Sequence, residues 1–370
     1  MKYYIIAGEA SGDLHGSNLM QSIENLDQET EFRFWGGDKM SEIAGKPVKH
    51  ISELAFMGFI EVLLNLPTIL KNIKLCKKDI RAFNPDVLIL IDYPGFNLRI
   101  AEYAKSLGIS VHYYISPQIW AWKQNRVHKI KRVVDEMYSI LPFEKAFYAK
   151  FGMSIHYVGH PLVDAVQKFK VLALSKTDFL TKYKLSDQPI IALLPGSRNQ
   201  EIKKKLPIML EAAKAFPQYQ IVIAGAPNKS VDFYKEIVQD LDVVIIENET
   251  YDLLNHSSLA MVTSGTATLE TALFKVPQVV CYKASFVSYS IAKRLVKIDY
   301  ISLVNLIMGK EVVKELIQSD LTAKNIIQEL NIFIKDDQQI KSDYNELDHQ
   351  LGGGGASEKV AGLIYNAIKR

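Results

Sequence analysis

The sequence contains little cysteine: Cys76 and Cys281 are the only two among 370 residues, and they lie far apart. Two isolated thiols support neither a disulfide framework nor a clustered thiolate metal site. The chain also lacks a strong charge of either sign, because 44 Lys and Arg residues are balanced by 41 Asp and Glu residues, for a net charge of +3. A balance this close to neutral predicts no nucleic-acid partner. The two isolated cysteines fit a protein of the reducing cytoplasm.

A secretory leader and an uninterrupted membrane-spanning run are also missing. The chain enters the apolar run "YYIIA" at residue 3, with no basic region before it, which argues against export. The most apolar segment, residues 54–81, is broken by Glu61, Asn65 and Pro67, so it cannot cross a bilayer as one helix. Its second half is basic, which favours an interfacial helix or an acyl-chain groove at the inner membrane surface. A buried core helix with a solvated basic end is the alternative.

A second stretch, residues 119–132, combines aromatic and basic side chains in "IWAWKQNRVHKIKR". Trp120 and Trp122 could lie at the level of lipid headgroups, beside lysines and arginines that attract anionic lipids. Because a basic helix with aromatic residues can also bind RNA, this stretch alone does not decide between the two partners.

Short apolar runs alternate with helical patterns along most of the chain, which predicts an α/β protein with parallel sheets. The alternation pauses between about residues 165 and 188, which indicates two similar α/β halves, at residues 1–170 and 188–340, facing across a cleft. Ligands of such sheets bind at the carboxyl ends of strands, so the loops after each run carry the functional candidates. The runs that we interpret as strands are "YYIIA", "FRFWG", "DVLILID", "VHYYIS", "IIALLPG", "QIVIAG", "DVVIIE", "LAMVTSG" and "PQVVCY".

The first loop, "GEASGD", resembles a phosphate-binding glycine turn but lacks the G-x-G-x-x-G spacing of a dinucleotide site. Glu9 and Asp13 would repel a pyrophosphate at close range. Carboxylates with Ser11 and a close-approach residue, Gly12, instead suit the hydroxyl groups of a sugar. Capping of the following helix by Ser11 and Asp13 is the alternative.

Asp92 follows the aliphatic run "LILI" directly and is turned by Pro94 and Gly95. An acid in this position is costly unless it is used, and burial could raise its pKa toward that of a useful general base. The structural alternative is an aspartate that caps its own turn.

Two loops of the second half predict an anion site. "LLPGSR" presents Arg198, whose guanidinium can bind a phosphate bidentately. "TSGTATLE" places Ser264, Gly265 and Thr266 before a helix, so that backbone N–H groups meet an anion, and Glu270 one turn later could accept from ribose hydroxyls. The alternatives are a surface salt bridge for Arg198, a plain N-cap for Ser264 to Thr266, and a solvated carboxylate for Glu270.

Metal-ligand patterns are weak. The "DLD" of Asp240 to Asp242 precedes a strand instead of following one, which predicts that it lies at the opposite sheet edge. His156 and His160 have no acidic third ligand close in sequence. We therefore expect no metal ion and no cofactor.

Ten blocks, in order along nearly the whole chain, resemble the lipid-A-disaccharide synthase family. They are "GEASGD", "MGFIEVL", "IDYPGFN", "YYISPQIWAW", "LPFEKAFY", "VGHPL", "LLPGSR", "TSGTATLE", "KRLVKIDYISLVNL" and "EVVKELIQ". The resemblance implies a GT-B fold with acceptor and membrane contacts in the first half and UDP-sugar in the second. It also implies that a C-terminal helix, at about residues 345–370, returns to the first half. The glycines at 352–355 suit such a crossing, or a hinge that exchanges this helix between two subunits of a homodimer.

The resemblance also assigns roles residue by residue. The critical aspartate falls on Asp92, the diphosphate-contacting arginine on Arg198, and the serine-glycine-threonine turn with its glutamate on Ser264, Gly265, Thr266 and Glu270. The UDP site further includes Asn305, and the acceptor loop includes Glu9, Ser11, Gly12 and Asp13. Ala10 and Gly95 depart from the family pattern; Gly95 stands where an acid is usual.

The implied activity is an inverting glycosyl transfer of lipid A biosynthesis at the inner face of the cytoplasmic membrane. UDP-2,3-diacylglucosamine and 2,3-diacylglucosamine 1-phosphate would give a β-1,6-linked disaccharide 1-phosphate and UDP, with Asp92, or an acid of the 9–13 loop, as the base. A nucleotide-sugar epimerase of the same fold and a non-enzymatic membrane or RNA-binding protein are the two alternatives.

Overall fold

The computed structural model describes residues 1–54, 66–227, 229–239, 241–285, 289 and 298–369. Contacts within the chain divide it into two compact units. Unit 1 comprises Met1–Pro161 and Gly354–Arg370, and unit 2 comprises Leu162–Gly353. The sequence places the corresponding boundaries near residues 170 and 345. The helix that ends at Leu351 therefore belongs to unit 2. Of the two C-terminal helices, only the last one belongs to unit 1.

The described part of unit 1 contains a sheet of seven parallel strands in the order β3-β2-β1-β4-β5-β6-β7. Strands β2 and β3 follow on one side of β1. The chain then crosses over, and β4 to β7 follow on the other side. The strands are β1 (Lys2–Ala7), β2 (Glu31–Gly36), β3 (Lys49–His50), β4 (Val87–Ile91), β5 (Ser110–Tyr114), β6 (Glu136–Ser139) and β7 (His156–Tyr157).

Helices cover both faces of this sheet, because its central strands are apolar on both sides. Tyr4 and Ile6 belong to one core cluster, whereas Tyr3 and Ile5 belong to the other. The helices of unit 1 are α1 (Ala10–Leu26), α2 (Asp38–Ala44), α3 (Leu66–Phe83), α4 (Pro94–Ser106), α5 (Ile119–Trp122), α6 (Arg126–Val133) and α7 (Glu144–Ala149), with a 3-10 turn at Ile51–Glu53.

The last helix, Ala356–Ile368, completes the second of these cores. Its Val360, Ala361 and Ile364 are fully buried in the same cluster as Leu19 and Met20 of α1. Burying a valine or an isoleucine side chain stabilises a fold by about 1.5–3 kcal/mol, so this helix is an integral part of unit 1.

Unit 2 repeats the arrangement. Its described residues contain six parallel strands in the order β10-β9-β8-β11-β12-β13, with the reversal between β8 and β11. These strands are β8 (Ile190–Leu194), β9 (Gln220–Gly225), β10 (Val244–Glu247), β11 (Leu259–Thr263), β12 (Gln278–Tyr282) and β13 (Lys314–Ile317).

The structure describes ten further helices, nine in unit 2 and the last helix in unit 1. They are α8 (Pro161–Leu172), α9 (Lys176–Tyr183), α10 (Asn199–Ala213), α11 (Val231–Val238), α12 (Thr250–His256), α13 (Thr266–Leu273), α14 (Leu303–Met308), α15 (Ala323–Lys335), α16 (Gln338–Leu351) and, in unit 1, α17 (Ala356–Ile368). Pro161 is the last residue assigned to unit 1, so α8 begins at the division between the units.

The predicted α/β class is confirmed, and each of the nine predicted runs contains a strand. Four strands were not predicted: β3, β6, β7 and β13. They are two to four residues long and carry charged or polar side chains, so they lack an apolar run long enough to detect. Cys76 and Cys281 are both buried, unpaired thiols, in different units.

Candidate active site

The predicted acceptor loop and Asp92 meet at the strand reversal of unit 1. Strands β1 and β4 are neighbours, with Ala7 aligned to Ile91, so the loops that follow them leave the same sheet edge side by side. Gly8 is required here: a Cβ atom at this position would lie 2.4 Å from Cγ of the Tyr93 ring. The absence of a side chain at Gly8 thus lets the two loops pack together.

The backbone at Asp92 is held in an uncommon conformation. Asp92 and Tyr93 have φ angles of 42° and 49°, in the left-handed region that only a few per cent of non-glycine residues adopt. Asn97 Nδ2 donates to the Asp92 carbonyl at 2.7 Å and to the Ile91 carbonyl at 3.2 Å, and the Tyr113 hydroxyl also donates to the Asp92 carbonyl. These bonds fix the strained turn that presents the carboxyl group.

The electrostatic environment of Asp92 agrees with its predicted chemistry. Burial, and secondarily the negative charge of Glu9, raises the pKa of the Asp92 carboxyl to about 6, against a small opposing effect of the Tyr93 N–H. A carboxyl group with this pKa is ionised at neutral pH and is a stronger base than an ordinary aspartate.

Asp13, which the sequence assigns to the acceptor loop, bonds to the start of a neighbouring helix. Its carboxylate is buried and accepts backbone N–H bonds from Gly37 at 2.6 Å, Lys39 at 3.1 Å and Met40 at 3.1 Å. It therefore caps the first turn of α2, not its own helix, whose N-cap is Glu9 without a side-chain bond. Three N–H groups of a neighbouring helix terminus thus bond to this carboxylate, and the contact of Asp13 with a sugar stays a prediction.

The other predicted residues of the acceptor loop are Glu9, Ser11 and Gly12, and they differ in exposure. Glu9 and Ser11 are exposed at the start of α1. Gly12 is buried, and a Cβ atom there would lie 3.2 Å from Cβ of Ala7. Only Glu9 and Ser11 of this loop therefore present side chains to a ligand.

Two histidines of unit 1 were not predicted as a pair. Burial lowers the pKa of His15 to about 4 and that of His160 to about 3, and the two rings interact electrostatically. Both are therefore neutral at physiological pH. His156 stacks on Tyr138 and contacts Glu136 at 2.9 Å.

Unit 2 has a cavity of about 740 Å³ at its own strand reversal. The loops after β8, β9, β10 and β11 line it, together with Phe169. This volume is in the range of cofactor and ligand pockets. Of the residues predicted for the UDP site, the lining includes Arg198, Ser264, Gly265, Thr266 and Glu270.

Arg198 is the N-cap residue of α10, at the mouth of this cavity. Its guanidinium is exposed and donates from Nη1 to Glu201 Oε1 at 2.8 Å. The salt-bridge alternative for Arg198 is thus present in the structure. Exposed pairs of this kind contribute only about 0–1 kcal/mol, so this contact does not prevent the arginine from binding a phosphate.

The glycine turn after β11 leaves the N-terminus of α13 without a side-chain cap. Gly265 is the N-cap of α13, with a φ angle of 134°, and has no side chain to cap the helix. Ser264 Oγ donates instead to the Ile301 carbonyl at 2.8 Å, so the N-cap alternative for Ser264 is wrong. The N-terminal N–H groups of α13 therefore border the cavity without a side-chain cap.

Glu270 is a largely buried carboxylate at the cavity wall. Tyr251 donates its hydroxyl hydrogen to Glu270 Oε1 at 2.9 Å, and burial raises the pKa of Glu270. The solvated-carboxylate alternative is therefore wrong. The Tyr251 ring packs edge-to-face on Phe169 and Phe274, which holds the hydroxyl in place.

Asn305, which the resemblance assigns to the UDP site, is not among the described residues that line the cavity. Its side chain is fully buried. Nδ2 donates to the Val313 carbonyl and Glu315 Oε1, and Oδ1 accepts from the N–H groups of Val312 and Val313. All four hydrogen-bonding positions of the amide are occupied within unit 2, so this asparagine shapes the fold.

Among the described residues, no three His, Cys, Asp or Glu side chains cluster as metal ligands. Asp240 of the "DLD" pair lies outside the described residues. None of the described helices combines the length and the apolar character that crossing a membrane requires.

Two doubly wound parallel-sheet units with a ligand cavity at a strand reversal define an α/β protein of the GT-B class. UDP-GlcNAc 2-epimerase from Neisseria meningitidis, solved with UDP-GlcNAc, matches with a TM-score of 0.70 at 15% identity, over 99% of this chain and 100% of that chain. The glycotransferase of kitacinnamycin matches with a TM-score of 0.67 at 12% identity, over 99% of each chain. At these identities the likeness shows the fold alone.

Sequence relatives give the family. The profile of the lipid-A-disaccharide synthetase family matches residues 3–363. Lipid-A-disaccharide synthases from Geobacter metallireducens and Coxiella burnetii are 39% and 36% identical, over 98% of this chain in both cases and 96% and 98% of theirs. The chain belongs to the lipid-A-disaccharide synthase family and is a glycosyltransferase of lipid A biosynthesis, which confirms the predicted resemblance.

Proposed function

We propose that the protein transfers the sugar of UDP-2,3-diacylglucosamine to 2,3-diacylglucosamine 1-phosphate, forming a β-1,6-linked disaccharide 1-phosphate and UDP. Family membership supports a UDP-sugar donor and a lipid acceptor. The observation that carries the finer assignment is the cavity of unit 2, whose reversal point combines a cationic side chain with an uncapped helix start. We assign the donor to unit 2 and the acceptor to unit 1.

In this proposal the cavity of unit 2 holds the UDP. Arg198 binds the diphosphate, and the N–H groups at Gly265 and Thr266 stabilise the charge that develops as UDP leaves. Glu270, oriented by Tyr251, accepts from the ribose hydroxyls. Solved relatives of the same fold bind UDP or UDP-GlcNAc, which supports a UDP site in this fold.

Asp92 is the proposed general base. It would remove the proton from the 6-hydroxyl of the acceptor as the glycosidic bond forms and the bond to UDP breaks. Its raised pKa and its position at the sheet edge support the role. Glu9 is exposed beside it and remains the other candidate of the 9–13 loop, whereas the N–H bonds of Asp13 argue against Asp13.

Asn305 and Ser264 belong to one hydrogen-bond network next to the proposed donor site. Asn305 and the N–H groups of Ile301 and Ser302 all bond to the Glu315 carboxylate, and the Ile301 carbonyl accepts from Ser264. We infer that this network fixes the position of the 264–266 turn. Asn305 would then affect UDP binding by positioning the turn and not by contact with UDP.

We further propose that unit 1 contacts an anionic membrane surface. Leu66, Leu70 and Leu75 are exposed on α3, next to residues 55–65 of the predicted membrane segment, which lie outside the described residues. In the second stretch Trp122 is about half exposed, with Lys123 Nζ 4.3 Å from its ring centroid and Arg126 at 5.8 Å. An exposed indole beside two cations suits the headgroup region.

The proposed location follows from the substrates. Acylated substrates reside in a bilayer, and the nucleotide donor is used on its cytoplasmic side, so we propose a peripheral protein of the inner face of the cytoplasmic membrane. We also propose that α17 can exchange between two copies, because the glycines at 352–355 link it to unit 2 and its contacts with α1 would be the same in either copy.

The test is a turnover assay with radiolabelled 2,3-diacylglucosamine 1-phosphate and UDP-2,3-diacylglucosamine in mixed micelles, with and without a chelator. We expect a labelled disaccharide 1-phosphate and equimolar UDP, unchanged by the chelator. A parallel reaction without the acceptor detects any change in the donor alone. Conversion of the donor without disaccharide formation would replace the proposal with an isomerase.

A further inference from the structure

Helix α10 begins with Arg198 as its N-cap and carries three consecutive lysines, but only one of them is buried. Lys203 and Lys204 are exposed, whereas the side chain of Lys205 is only 1% exposed. Its Nζ donates to Oγ1 of Thr263, the last residue of β11 and the neighbour of Ser264. Lys205 thus ties the helix that follows the first cavity loop to the strand that precedes the second.

Glu201 lies between Lys205 and Arg198. Its Oε1 accepts from Arg198 Nη1 at 2.8 Å, and its Oε2 lies 3.6 Å from Lys205 Nζ. The same carboxylate packs on the first loop: a Cβ atom at Gly196 would lie 2.9 Å from Oε2 and 3.5 Å from Lys205 Nζ. One acid is therefore held by two cations directly at the loop that borders the cavity.

The three charges have unequal freedom. Arg198 is 74% exposed and can turn away from Glu201, whereas Lys205 is enclosed and cannot. The negative charge of a diphosphate attracts the guanidinium and repels the carboxylate. A bidentate phosphate contact that includes Nη1 would use the N–H donor that now bonds to Glu201. Glu201 must then rely on Lys205 as its remaining partner.

We propose that Glu201 competes with the donor diphosphate for Arg198, and that Lys205 neutralises Glu201 while the arginine is bound to the ligand. This inference rests on the proposed UDP site. Glu201 would lower the affinity for UDP and speed its release, because the carboxylate can bond to the Arg198 guanidinium as the diphosphate leaves. Lys205 is then a positioning residue that keeps the carboxylate back from the phosphates.

The proposal predicts effects of opposite sign on the same helix. Glu201→Gln removes the competing charge. Because exposed pairs are worth about 0.2–1 kcal/mol, UDP should bind about 1.4- to 5-fold more tightly and dissociate more slowly. Lys205→Met leaves Glu201 without its buried partner beside the phosphates, so binding should weaken by about 10-fold. The double variant lacks both Lys205 and the Glu201 carboxylate that Lys205 neutralises. No unneutralised carboxylate then lies beside the phosphates, so the affinity for UDP should return to at least the wild-type level.

The experiment is calorimetric titration of the full chain with UDP at low and high salt, with stopped-flow measurement of UDP dissociation. Lys204→Met is the matched control, because Lys204 is an exposed lysine of the same helix. The expected result is tighter, slower-releasing binding in Glu201→Gln, with the difference reduced at high salt, and recovery in the double variant.

Three outcomes would contradict the inference or its basis, and they are distinguishable. If wild-type protein does not bind UDP, the proposed donor site itself is wrong. If wild-type binds but Glu201→Gln binds equally or more weakly, Glu201 is not a competitor. If the double variant is as weak as Lys205→Met alone, Lys205 acts only through packing with Thr263.

Discussion

Glu9 and Asp92 lie in the loops after two adjacent parallel strands, and the charge of Glu9 adds to the effect of burial on the pKa of Asp92. The sequence separates the two acids by more than eighty residues, and the strand reversal of unit 1 brings them together. This pair is the part of the proposed mechanism that pH can address most directly.

If Asp92 is the base, turnover should rise with pH along an acid limb with an apparent pKa near 6, because the carboxylate must be unprotonated to accept the proton. Glu9→Gln removes the neighbouring charge and should shift that limb to lower pH. Initial rates between pH 4.5 and 8.5 measure it, with the exposed Glu42→Gln as control. An unmoved limb in Glu9→Gln would show that another group titrates.

Asp92→Asn should separate stability from activity. The pKa of Asp92 is raised from 3.8 to about 6 in the folded protein, so the native state binds more protons than the unfolded chain in this interval and the contribution of Asp92 to stability is lost as pH rises through 6. At pH 7 the substitution should therefore stabilise the protein by roughly 2–3 kcal/mol.

The same variant should lose about 10²- to 10⁴-fold in turnover while binding UDP normally. Urea denaturation at pH 4 and pH 7 gives the stability difference, which should be small at pH 4. Asp232→Asn, an exposed aspartate of unit 2, is the control. Near-normal turnover in Asp92→Asn would remove Asp92 from the role of base.

Asp13→Ala should act on the fold of unit 1. It removes the acceptor of three backbone N–H groups at the start of α2, two of which belong to buried residues, and should cost about 2–4 kcal/mol in the free energy of unfolding. Chemical denaturation measures the loss. Normal stability with lost turnover would instead favour the sugar contact that the sequence predicts.

Gly8→Ala should disturb the Asp92 turn, because the new Cβ atom would lie 2.4–2.7 Å from three carbons of the Tyr93 ring. We expect a destabilisation of about 1–3 kcal/mol and a larger fall in kcat than in the affinity for UDP. Gly95→Ala is the matched control, since a Cβ atom there has no atom within 4 Å. It should be neutral or slightly stabilising, as expected for alanine in a helix.

Trp122→Ser combined with Lys123→Ser should weaken binding to vesicles that contain anionic lipid by about 10-fold or more, through loss of an interfacial aromatic ring and one basic charge. Sedimentation with anionic and with neutral vesicles measures it. The exposed Leu107→Ser is the control for loss of apolar surface. Unchanged binding would place the membrane contact elsewhere in the chain.

The sequence predicts the larger features of the fold because they depend on local patterns. Apolar runs such as "VLILI" and "IIALL" are long enough to indicate buried parallel strands, and the polar residues that follow them mark the functional sheet edge. Strands such as β3 and β7, each of two residues, escape prediction because their pairing partners, not their composition, make them strands.

Hydrogen-bond partners are the feature of the site that the sequence could not predict. Asp13 and Asn305 both follow motifs of the family resemblance, and both side chains bond to backbone groups of other segments. Nothing in their immediate neighbours distinguishes a carboxylate that meets a sugar from one that caps a helix 24 residues away. The partner is decided by how the strands order themselves in the sheet.

The amino-acid sequence by itself determined the α/β class and which strand-end loops carry anion-binding and acidic residues, since these follow from short-range periodicity and composition. The family followed from the resemblance of ten motif blocks along the chain. Only the tertiary structure decided that Asp92 has a raised pKa, that Asp13 caps α2, and that one lysine of three in "KKK" is buried against Thr263. Burial and electrostatic interaction depend on distances between segments that are remote in sequence, and those distances exist only once the sheets have formed.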